Sequence, residues 1–145
     1  MTSFELRPID SEQDLQACFP VMQELRPHLT DLTTFIAQVR RQADQGYRLL
    51  AAWQDDQALG LAGYRLQENL IYGRFLYVDD LVTTAQARGH GVGEALIKAL
   101  RNTAKQRDCA HFVLDTGLAN DLAQRFYFRQ GLLSKGLHFC QPLSR

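Results

Sequence analysis

The sequence has few of the features that mark membrane, secreted or metal-binding proteins. Its three cysteines, Cys18, Cys109 and Cys140, follow no metal-binding or redox spacing, and such an odd, scattered set indicates reduced thiols. No apolar run approaches the ~20 residues that span a bilayer. The first ten residues lack a basic stretch followed by an apolar one. We therefore expect a cytoplasmic protein with no membrane partner and no metal.

Net charge is also absent, because 16 basic residues balance 16 acidic ones. The balance hides an asymmetry: residues 1–80 carry 7 basic and 12 acidic side chains, and residues 81–145 carry 9 and 4. The second half would thus favour an anionic ligand and the first half a cationic one, unless the distribution is chance over a solvated surface. No nucleic-acid partner is expected.

A chain of 145 residues suits one compact domain, and we expect residues 1–145 to form it. The segment FELRPI alternates like a strand, and Ser11 opens a helix that runs to about Arg26. A second helix and a meander of three strands follow. After a glycine-rich turn come a helix to about Arg107, the strand HFVLDTG, a short helix ended by Gly131 and a last strand, KGLHFCQPL. This order predicts an α/β fold.

The glycine-rich turn, RGHGVG at positions 88–93, directly precedes a helix. The first N–H groups of a helix have no intrahelical partner and lie at the positive end of its dipole, where they can hold an anion. Glycine lets the backbone adopt left-handed conformations and approach a phosphate closely. Arg88 adds a positive charge, and the N–H groups of residues 89–94 are the expected donors. A flexible connection with a glycine-rich cap is the alternative interpretation.

The spacing of the turn excludes two common phosphate motifs. A P-loop needs a Lys-Ser or Lys-Thr after its glycines, and none follows here. A dinucleotide fingerprint reads GxGxxG, whereas this turn reads GxGxG. The segment from Arg88 to Gly93 instead resembles the signature of the GNAT family of acyl-CoA-dependent N-acyltransferases: Gln or Arg, two residues, Gly, one residue, Gly or Ala. The preceding VDDLVT and the later NDLAQRFYFRQGL are also similar to that family.

The resemblance implies a GNAT-like domain with a mixed, twisted sheet of six to seven strands, helices on both faces, and parallel strands 4 and 5 that splay apart at residues 75–83 and 111–116. It also implies that acetyl-CoA binds in this opening. Its pyrophosphate would rest on the turn, and its pantetheine arm would pair with the strand before it. The implied cofactor-binding residues are Leu81, Val82, Thr83, Arg88, Gly89, His90, Gly91, Val92, Gly93, Glu94, Asn120 and Arg125. Asn120 has a rival role as a simple helix cap.

The implied chemistry is direct attack of an amine on the acetyl thioester. An alkyl ammonium has a pKa of about 10.4, so it must lose a proton first. Tyr127 matches the family's general acid, although it could instead pack beside Phe126, our choice for the core. Asp79 is the favoured base or water organiser. Adjacent strand residues face opposite sides, so Asp80 would hold a turn or salt bridge instead. Glu68 and Tyr72 are other candidates near the acceptor, and some members use no dedicated base.

In the family the oxyanion is stabilised by a backbone N–H on the fourth strand, which would be that of Val82. The expected function is acetyl or short-acyl transfer to a primary amine, in a cationic small molecule or a protein. The alternative is a catalytically silent acyl-CoA-binding sensor or interaction module with the same fold. A homodimer would be consistent with the family.

Overall fold

A computed structural model describes residues 3–144 of the chain. Clustering of its contacts divides the chain after Leu114 into two compact units. The larger unit contains β1 (Glu5–Pro8), α1 (Glu12–Leu25), α2 (Leu32–Ala43), β2 (Arg48–Gln54), β3 (Gln57–Asn69), β4 (Gly73–Thr83), a short 3-10 helix (Ala85–Ala87), α3 (Val92–Gln106) and β5 (His111–Leu114). The smaller unit contains α4 (Asp121–Arg129).

The helices begin where their capping residues predict. The Ser11 side chain accepts a hydrogen bond from the Asp14 N–H and caps α1, while Asp31 caps α2 by accepting from Thr34. Gly46, with a φ of 88°, ends the turn after α2. The predicted helices and their order are confirmed. Capping signals act between residues a few positions apart, so they can be recognised in the sequence.

Within residues 3–144, five strands form one mixed sheet in the order β1-β2-β3-β4-β5. The first four pair antiparallel, whereas β5 pairs parallel to β4 from Phe75↔His111 to Val78↔Leu114. The ladder with β5 ends there, so residues 79–83 of β4 continue without pairing to β5. The α/β class and the parallel arrangement of these two strands are confirmed.

The predicted count of six to seven strands is wrong for the part of the chain that is described. The segment 132–144, which contains the expected last strand KGLHFCQPL, forms neither helix nor strand. A strand is stabilised by a partner that is distant in sequence, so an alternating pattern alone does not specify whether a segment is paired.

Helices cover both faces of the sheet within the larger unit. One hydrophobic core joins α1 and α2 to residues such as Trp53 and Leu61, and the other joins α3 to residues such as Leu76. Because each face buries its own core, the sheet is held in place from both sides. None of the helices within residues 3–144 is both long and apolar enough to span a bilayer.

Candidate acetyl-transfer site

A β-bulge in β4 lies at the centre of the candidate site. Gly63 of β3 pairs with Asp80, and the next residue, Tyr64, pairs with Val78. Asp79 is therefore the extra residue between two paired positions. A bulge bends the strand and redirects its side chains, and this one lies just beyond Val78, the last β4 residue paired with β5.

The bulge directs both carboxylates toward Tyr47, on the side of the sheet covered by α1 and α2. Asp80 Oδ2 accepts a 2.6 Å hydrogen bond from the Tyr47 hydroxyl. Asp79 Oδ2 accepts a 3.0 Å hydrogen bond from Arg65 Nε, and the guanidinium of Arg65 lies 5.5 Å from the centre of the Tyr47 ring. The expectation that adjacent residues face opposite sides fails here, because strict alternation holds only in a regular strand.

The two carboxylates have different surroundings. Asp80 is fully engaged: besides Tyr47, Arg26 donates to its Oδ1 from Nε at 3.1 Å and from Nη2 at 2.9 Å. Asp79 Oδ1 is buried and has no hydrogen-bond partner among residues 3–144. Burial raises the pKa of Asp79 and the Asp80 charge raises it further, against the opposing effect of Arg65. Asp79 thus combines a free oxygen with an increased proton affinity.

Tyr47 and Gly63, which sequence reasoning missed, position this cluster. Tyr47 is buried, and its pKa is raised by burial and by the neighbouring Asp80 and Asp79 charges, so its hydroxyl stays protonated and donates. A Cβ at Gly63 would overlap the Tyr47 hydroxyl, so the Tyr47 ring can pack against β3 only if residue 63 is a glycine. A glycine inside a strand pattern signals such a close approach, and that signal is visible in ALGLAGY.

The glycine-rich turn forms the N-terminus of α3. Gly89 and Gly91 have φ values of 83° and 82°, in the left-handed region. Gly91 is the N-cap, no side chain caps it, and Ala95 N–H donates to its carbonyl. The N–H groups of residues 92–94 consequently have no partner within the helix. Arg88, Gly89, His90, Gly91 and Glu94 are exposed, whereas Val92 is buried and anchors the turn.

The free edge of β4 lies just before this turn in sequence. Among the described residues, Leu81, Val82 and Thr83 follow the bulge and pair with β3 only, so one side of their backbone forms no ladder and can accept another extended chain. A left-handed glycine cap with free helix amides suits a pyrophosphate, and an open strand edge suits the amide-containing pantetheine arm. The residues present therefore fit acetyl-CoA.

The smaller unit contains the other three predicted site residues. Asn120 caps α4, since its Oδ1 accepts a 3.1 Å hydrogen bond from Ala123 N–H. Arg125 is exposed on that helix. The Tyr127 ring is half-buried and lies 5.5 Å from that of Phe126 in a T-shaped arrangement. Burial raises the pKa of Tyr127, which keeps the phenol protonated at neutral pH.

Glu68 and Tyr72 are not brought to the bulge. Glu68 pairs with Arg74 at the far end of the β3–β4 hairpin, four to five positions from Gly63 and Tyr64. That separation is about 15 Å along a strand. Tyr72 lies in the hairpin turn, with its ring tilted against those of Phe75 and His111. These two candidates therefore belong to another part of the surface.

A cavity of about 130 Å³ opens beside Asp80, between the sheet and the two N-terminal helices. Its polar lining comes from Arg26, His28, Gln38, Gln42, Tyr47 and Asp80. Its apolar lining comes from Met22, Leu29, Phe35 and Val39. Within residues 3–144 no group of three or more His, Cys, Asp and Glu side chains is placed to hold a metal ion.

Comparison with known proteins identifies the family. The profile of the Acetyltransferase (GNAT) family matches residues 10–132. The chain belongs to the GNAT family. The protein is an acyl-CoA-dependent N-acetyltransferase, and its acyl donor is acetyl-CoA.

Relatives in sequence and in structure agree with this assignment. YhdJ of Bacillus subtilis (strain 168), described as an uncharacterized N-acetyltransferase, is 28% identical over 140 residues, which cover 95% of this chain and 98% of that protein. Aminoglycoside N(6')-acetyltransferase type 1 of Klebsiella aerogenes is 31% identical over 86 residues, 57% of each chain. The structure of AAC(6')-Iy in complex with the bisubstrate analog CoA-S-monomethyl-acetylneamine superimposes with a TM-score of 0.85 at 18% identity, covering 99% of this chain and 100% of that one.

Proposed function

We propose that this GNAT enzyme acetylates a primary amine of a small molecule by direct attack in a ternary complex. The bulge at Asp79 is the observation that carries the proposal. It provides a carboxylate with a free oxygen beside the point where β4 leaves β5, just before the residues that suit the acyl donor.

Asp79 acts as the base, directly or through a water molecule. Its raised pKa brings its proton affinity closer to that required for accepting a proton from an ammonium group. The base works only when ionised, so activity should fall as the pH decreases through the raised pKa of Asp79. Asp80 remains the hydrogen-bond acceptor of the Tyr47 hydroxyl and the Arg26 guanidinium.

Tyr127 acts as the acid that protonates the leaving thiolate. A phenol has an ordinary pKa of about 10, and burial raises that of Tyr127 further. The phenol is therefore protonated throughout the neutral range, as an acid must be. Because the reaction needs the protonated phenol of Tyr127, acetyl transfer should be lost only at strongly alkaline pH, where the phenol ionises.

Acetyl-CoA supplies the activated acetyl thioester. Backbone groups of Leu81, Val82 and Thr83 orient the pantetheine arm, and the Val82 N–H stabilises the developing oxyanion. The turn residues Arg88, Gly89, His90, Gly91, Val92, Gly93 and Glu94 hold the pyrophosphate. Asn120 and Arg125 add side-chain contacts in this proposal. Asn120 would then exchange its capping bond for one to the donor.

The cavity beside Asp80 is our choice for the amine-bearing end of the acceptor. The aminoglycoside acetyltransferases among the similar proteins support a small-molecule amine. The two aspartates do not form an unbalanced acidic patch, because Arg65 and Arg26 pair with them. We therefore propose that the acceptor is selected by its fit to the cavity and by its amine, rather than by a high positive charge.

Three further expectations remain part of the proposal. They are a single domain over residues 1–145, a cytoplasmic location and a homodimer. The exposed C-terminal segment supports the last of these.

Thiol release from acetyl-CoA with a panel of amines tests the function. The panel contains an aminoglycoside with a 6'-amino group, an amino sugar, a polyamine and a lysine peptide. We expect turnover on a small-molecule amine and a kcat lower by about 10²–10⁴-fold for Tyr127→Phe. Asp79→Asn should lower kcat/KM and abolish its decrease at acidic pH.

Matched variants make this test specific. Tyr72→Phe and Glu68→Gln introduce the same chemical changes far from the bulge and should retain kcat within about twofold. Equal losses in these controls would contradict our assignment of the acid and base. Binding of CoA without turnover on any amine, and without an effect of Tyr127→Phe, would instead support the silent sensor.

A further inference from the structure

Two side chains at the C-terminal end of α1 contact β4 and the segment that follows it. Arg26, the residue that ends α1, contacts the bulge of β4. Glu24, in the last turn, contacts Ala85 at the start of the short 3-10 helix. These two points enclose residues 81–83, to which the proposed function assigns the pantetheine arm. The chain is therefore held on both sides of the segment that would bind the acyl donor.

The Arg26 guanidinium binds both residues of the bulge. Its Nη2 donates a 3.0 Å hydrogen bond to the backbone carbonyl oxygen of Asp79, the residue that the β3–β4 register skips. It also donates to Asp80 Oδ1, from Nε at 3.1 Å and from Nη2 at 2.9 Å. A planar guanidinium carries its donors in a fixed fork, so one side chain sets the backbone of Asp79 relative to the side chain of Asp80. Arg26 consequently restrains the orientation of the Asp79 carboxylate.

The end of α1 holds Arg26 in this place. The Arg26 N–H donates to the Met22 carbonyl at 2.8 Å, and Met22 is buried in the core. Pro27 follows, and a residue before proline is disfavoured in the helical region, so α1 ends with Arg26 at φ −122° and ψ 76°. The Arg26 side chain is 42% exposed, and ion pairs of such exposed side chains add little to folding stability. Loss of this side chain should therefore affect the site more than the fold.

The Glu24 carboxylate caps the segment that leads into the glycine-rich turn. Its Oε1 accepts a 3.1 Å hydrogen bond from the Ala85 N–H, which lies in the first turn of the 3-10 helix, where N–H groups lack a partner within the helix. Thr84 Oγ1 accepts a hydrogen bond from the Ala87 N–H, so two side chains together cap this helix. The helix ends directly before Arg88 and the turn. Glu24 consequently restrains the direction in which the chain enters the turn.

We propose that the C-terminal end of α1 positions the reacting segment of β4, with Arg26 fixing the bulge at Asp79 and Glu24 fixing the entry to the glycine-rich turn. Both side chains act through β4 and the residues after it, so they are positioning residues rather than catalytic ones. The inference rests on the proposed function, in which Asp79 is the base and the turn holds acetyl-CoA. It separates two kinetic effects: Arg26 should act on kcat, and Glu24 on KM for acetyl-CoA.

Substitution of Arg26 by lysine tests the first contact. Arg26→Lys keeps the positive charge but lacks the fork, so kcat should fall by about 10–10²-fold, as for a displaced catalytic group. The decrease of kcat/KM at acidic pH should stay where it is in the wild type, because the charge beside Asp79 is retained. Thiol release from acetyl-CoA, followed from acidic to alkaline pH, measures both quantities.

Arg26→Gln removes the charge as well as the fork. Burial raises the pKa of Asp79, while the charges of Arg65 and Arg26 lower it. Removal of Arg26 should therefore raise this pKa further, so the acidic decrease of kcat/KM should move to higher pH. The other titratable groups around Asp79 and in the adjoining cavity are the same in both variants: Arg65, Asp80, Tyr47 and His28. A shift in Arg26→Gln alone would report the charge, and a loss of kcat in both variants would report the fork.

Substitution of Glu24 tests the second contact. Glu24→Ala removes the acceptor of the Ala85 N–H, so KM for acetyl-CoA should rise about three- to tenfold, the effect of one hydrogen bond, while kcat stays within about twofold. Glu24→Gln keeps a side-chain oxygen that can accept the same bond, and its KM should therefore be close to that of the wild type. Calorimetric titration with CoA measures the affinity without turnover, so this result does not depend on the base.

Arg40 and Glu12 provide matched controls, because they form an exposed ion pair with each other between α2 and α1. Arg40→Lys, Arg40→Gln and Glu12→Ala should leave kcat, KM and the pH profile within about twofold of the wild type. Losses in these controls as large as those at Arg26 and Glu24 would overturn the inference.

Two other results would also overturn it: a wild-type kcat in Arg26→Lys overturns the role of Arg26, and an unchanged CoA affinity in Glu24→Ala overturns that of Glu24. Asp79→Asn distinguishes these failures from a failure of the proposed function. If Asp79→Asn abolishes the acidic decrease while the Arg26 variants behave as the wild type, only the positioning role is wrong. Wild-type activity in Asp79→Asn would contradict the base itself, and the role of Arg26 with it.

Discussion

At the scale of single residues, the assignment of Asp79 and Asp80 depends on neighbours that are distant in sequence. Arg26 and Tyr47 lie 54 and 33 positions before Asp80, and together they occupy both of its oxygens. Asp79 is left with one free oxygen. The role that we propose for Asp79 therefore depends on the surroundings set by a buried tyrosine that sequence reasoning did not identify.

Replacement of Gly63 should disturb this arrangement. In Gly63→Ala the new Cβ would overlap the Tyr47 hydroxyl, so the ring must move and Asp80 would lose its donor. We expect a loss of about 1–3 kcal/mol in the free energy of unfolding, as is typical of overpacking. Urea denaturation measures it, and kcat should fall in parallel.

Two further variants test whether the overlap with Tyr47 causes the loss of stability in Gly63→Ala. Gly117→Ala adds a methyl group where no atom lies within 4 Å, and its effect should be within about 0.5 kcal/mol. In a Tyr47→Ala background the cost of Gly63→Ala should largely disappear, because the clashing ring is gone. A cost that stays the same in this background would show that Tyr47 is not responsible.

At the scale of elements, the glycines of the turn before α3 look equivalent in the sequence but differ in backbone conformation. Gly89 and Gly91 have positive φ values, whereas Gly93 lies inside the helix. The family signature accepts Gly or Ala at the position of Gly93. The structure explains this tolerance, since a helical position does not need glycine.

Gly91→Ala should weaken binding of the acyl donor. A residue with a side chain in the left-handed region costs about 1–2 kcal/mol, so the turn should relax away from its present geometry. We expect an increase of about tenfold in KM for acetyl-CoA, measured by steady-state kinetics. Gly93→Ala, two positions away, should leave that KM within about twofold. Equal effects at both positions would contradict the anion-binding role of the Gly91 cap.

The C-terminal segment KGLHFCQPL and the bulge both depart from what the local sequence pattern predicts. The segment KGLHFCQPL is predicted to be the last strand, yet within the described residues it forms no strand. The bulge breaks the alternation on which the orientations of Asp79 and Asp80 were predicted. Both outcomes depend on pairing between segments that are far apart in sequence, which local propensity does not encode.

At the scale of the whole molecule, the sheet in the unit that ends at Leu114 separates two hydrophobic cores. Leu61 belongs to the core shared with α1 and α2, and Leu96 belongs to the core under α3. Both side chains are fully buried. The first core supports Tyr47 and the cavity beside Asp80, and the second supports the turn at the start of α3.

Truncation of either leucine should destabilise the fold. Leu61→Ala and Leu96→Ala should each reduce the free energy of unfolding by about 2–5 kcal/mol, since each leaves a cavity in a packed core. Leu70→Ala, at a fully exposed leucine, should change it by less than about 0.5 kcal/mol. Chemical denaturation of the three variants provides the comparison. A loss below 1 kcal/mol at Leu96 would mean that α3 is not packed as described.

The sequence by itself determined the helices, their caps, the strand meander, and the turn that indicates the family and its acyl donor. Those features depend on contacts between residues a few positions apart, or on a motif with fixed spacing. Only the tertiary structure decided that both aspartates face Tyr47, that Asp79 keeps the free oxygen, and that KGLHFCQPL forms no strand within the described residues. These outcomes follow from burial and pairing between distant segments, which exist only once the chain has folded.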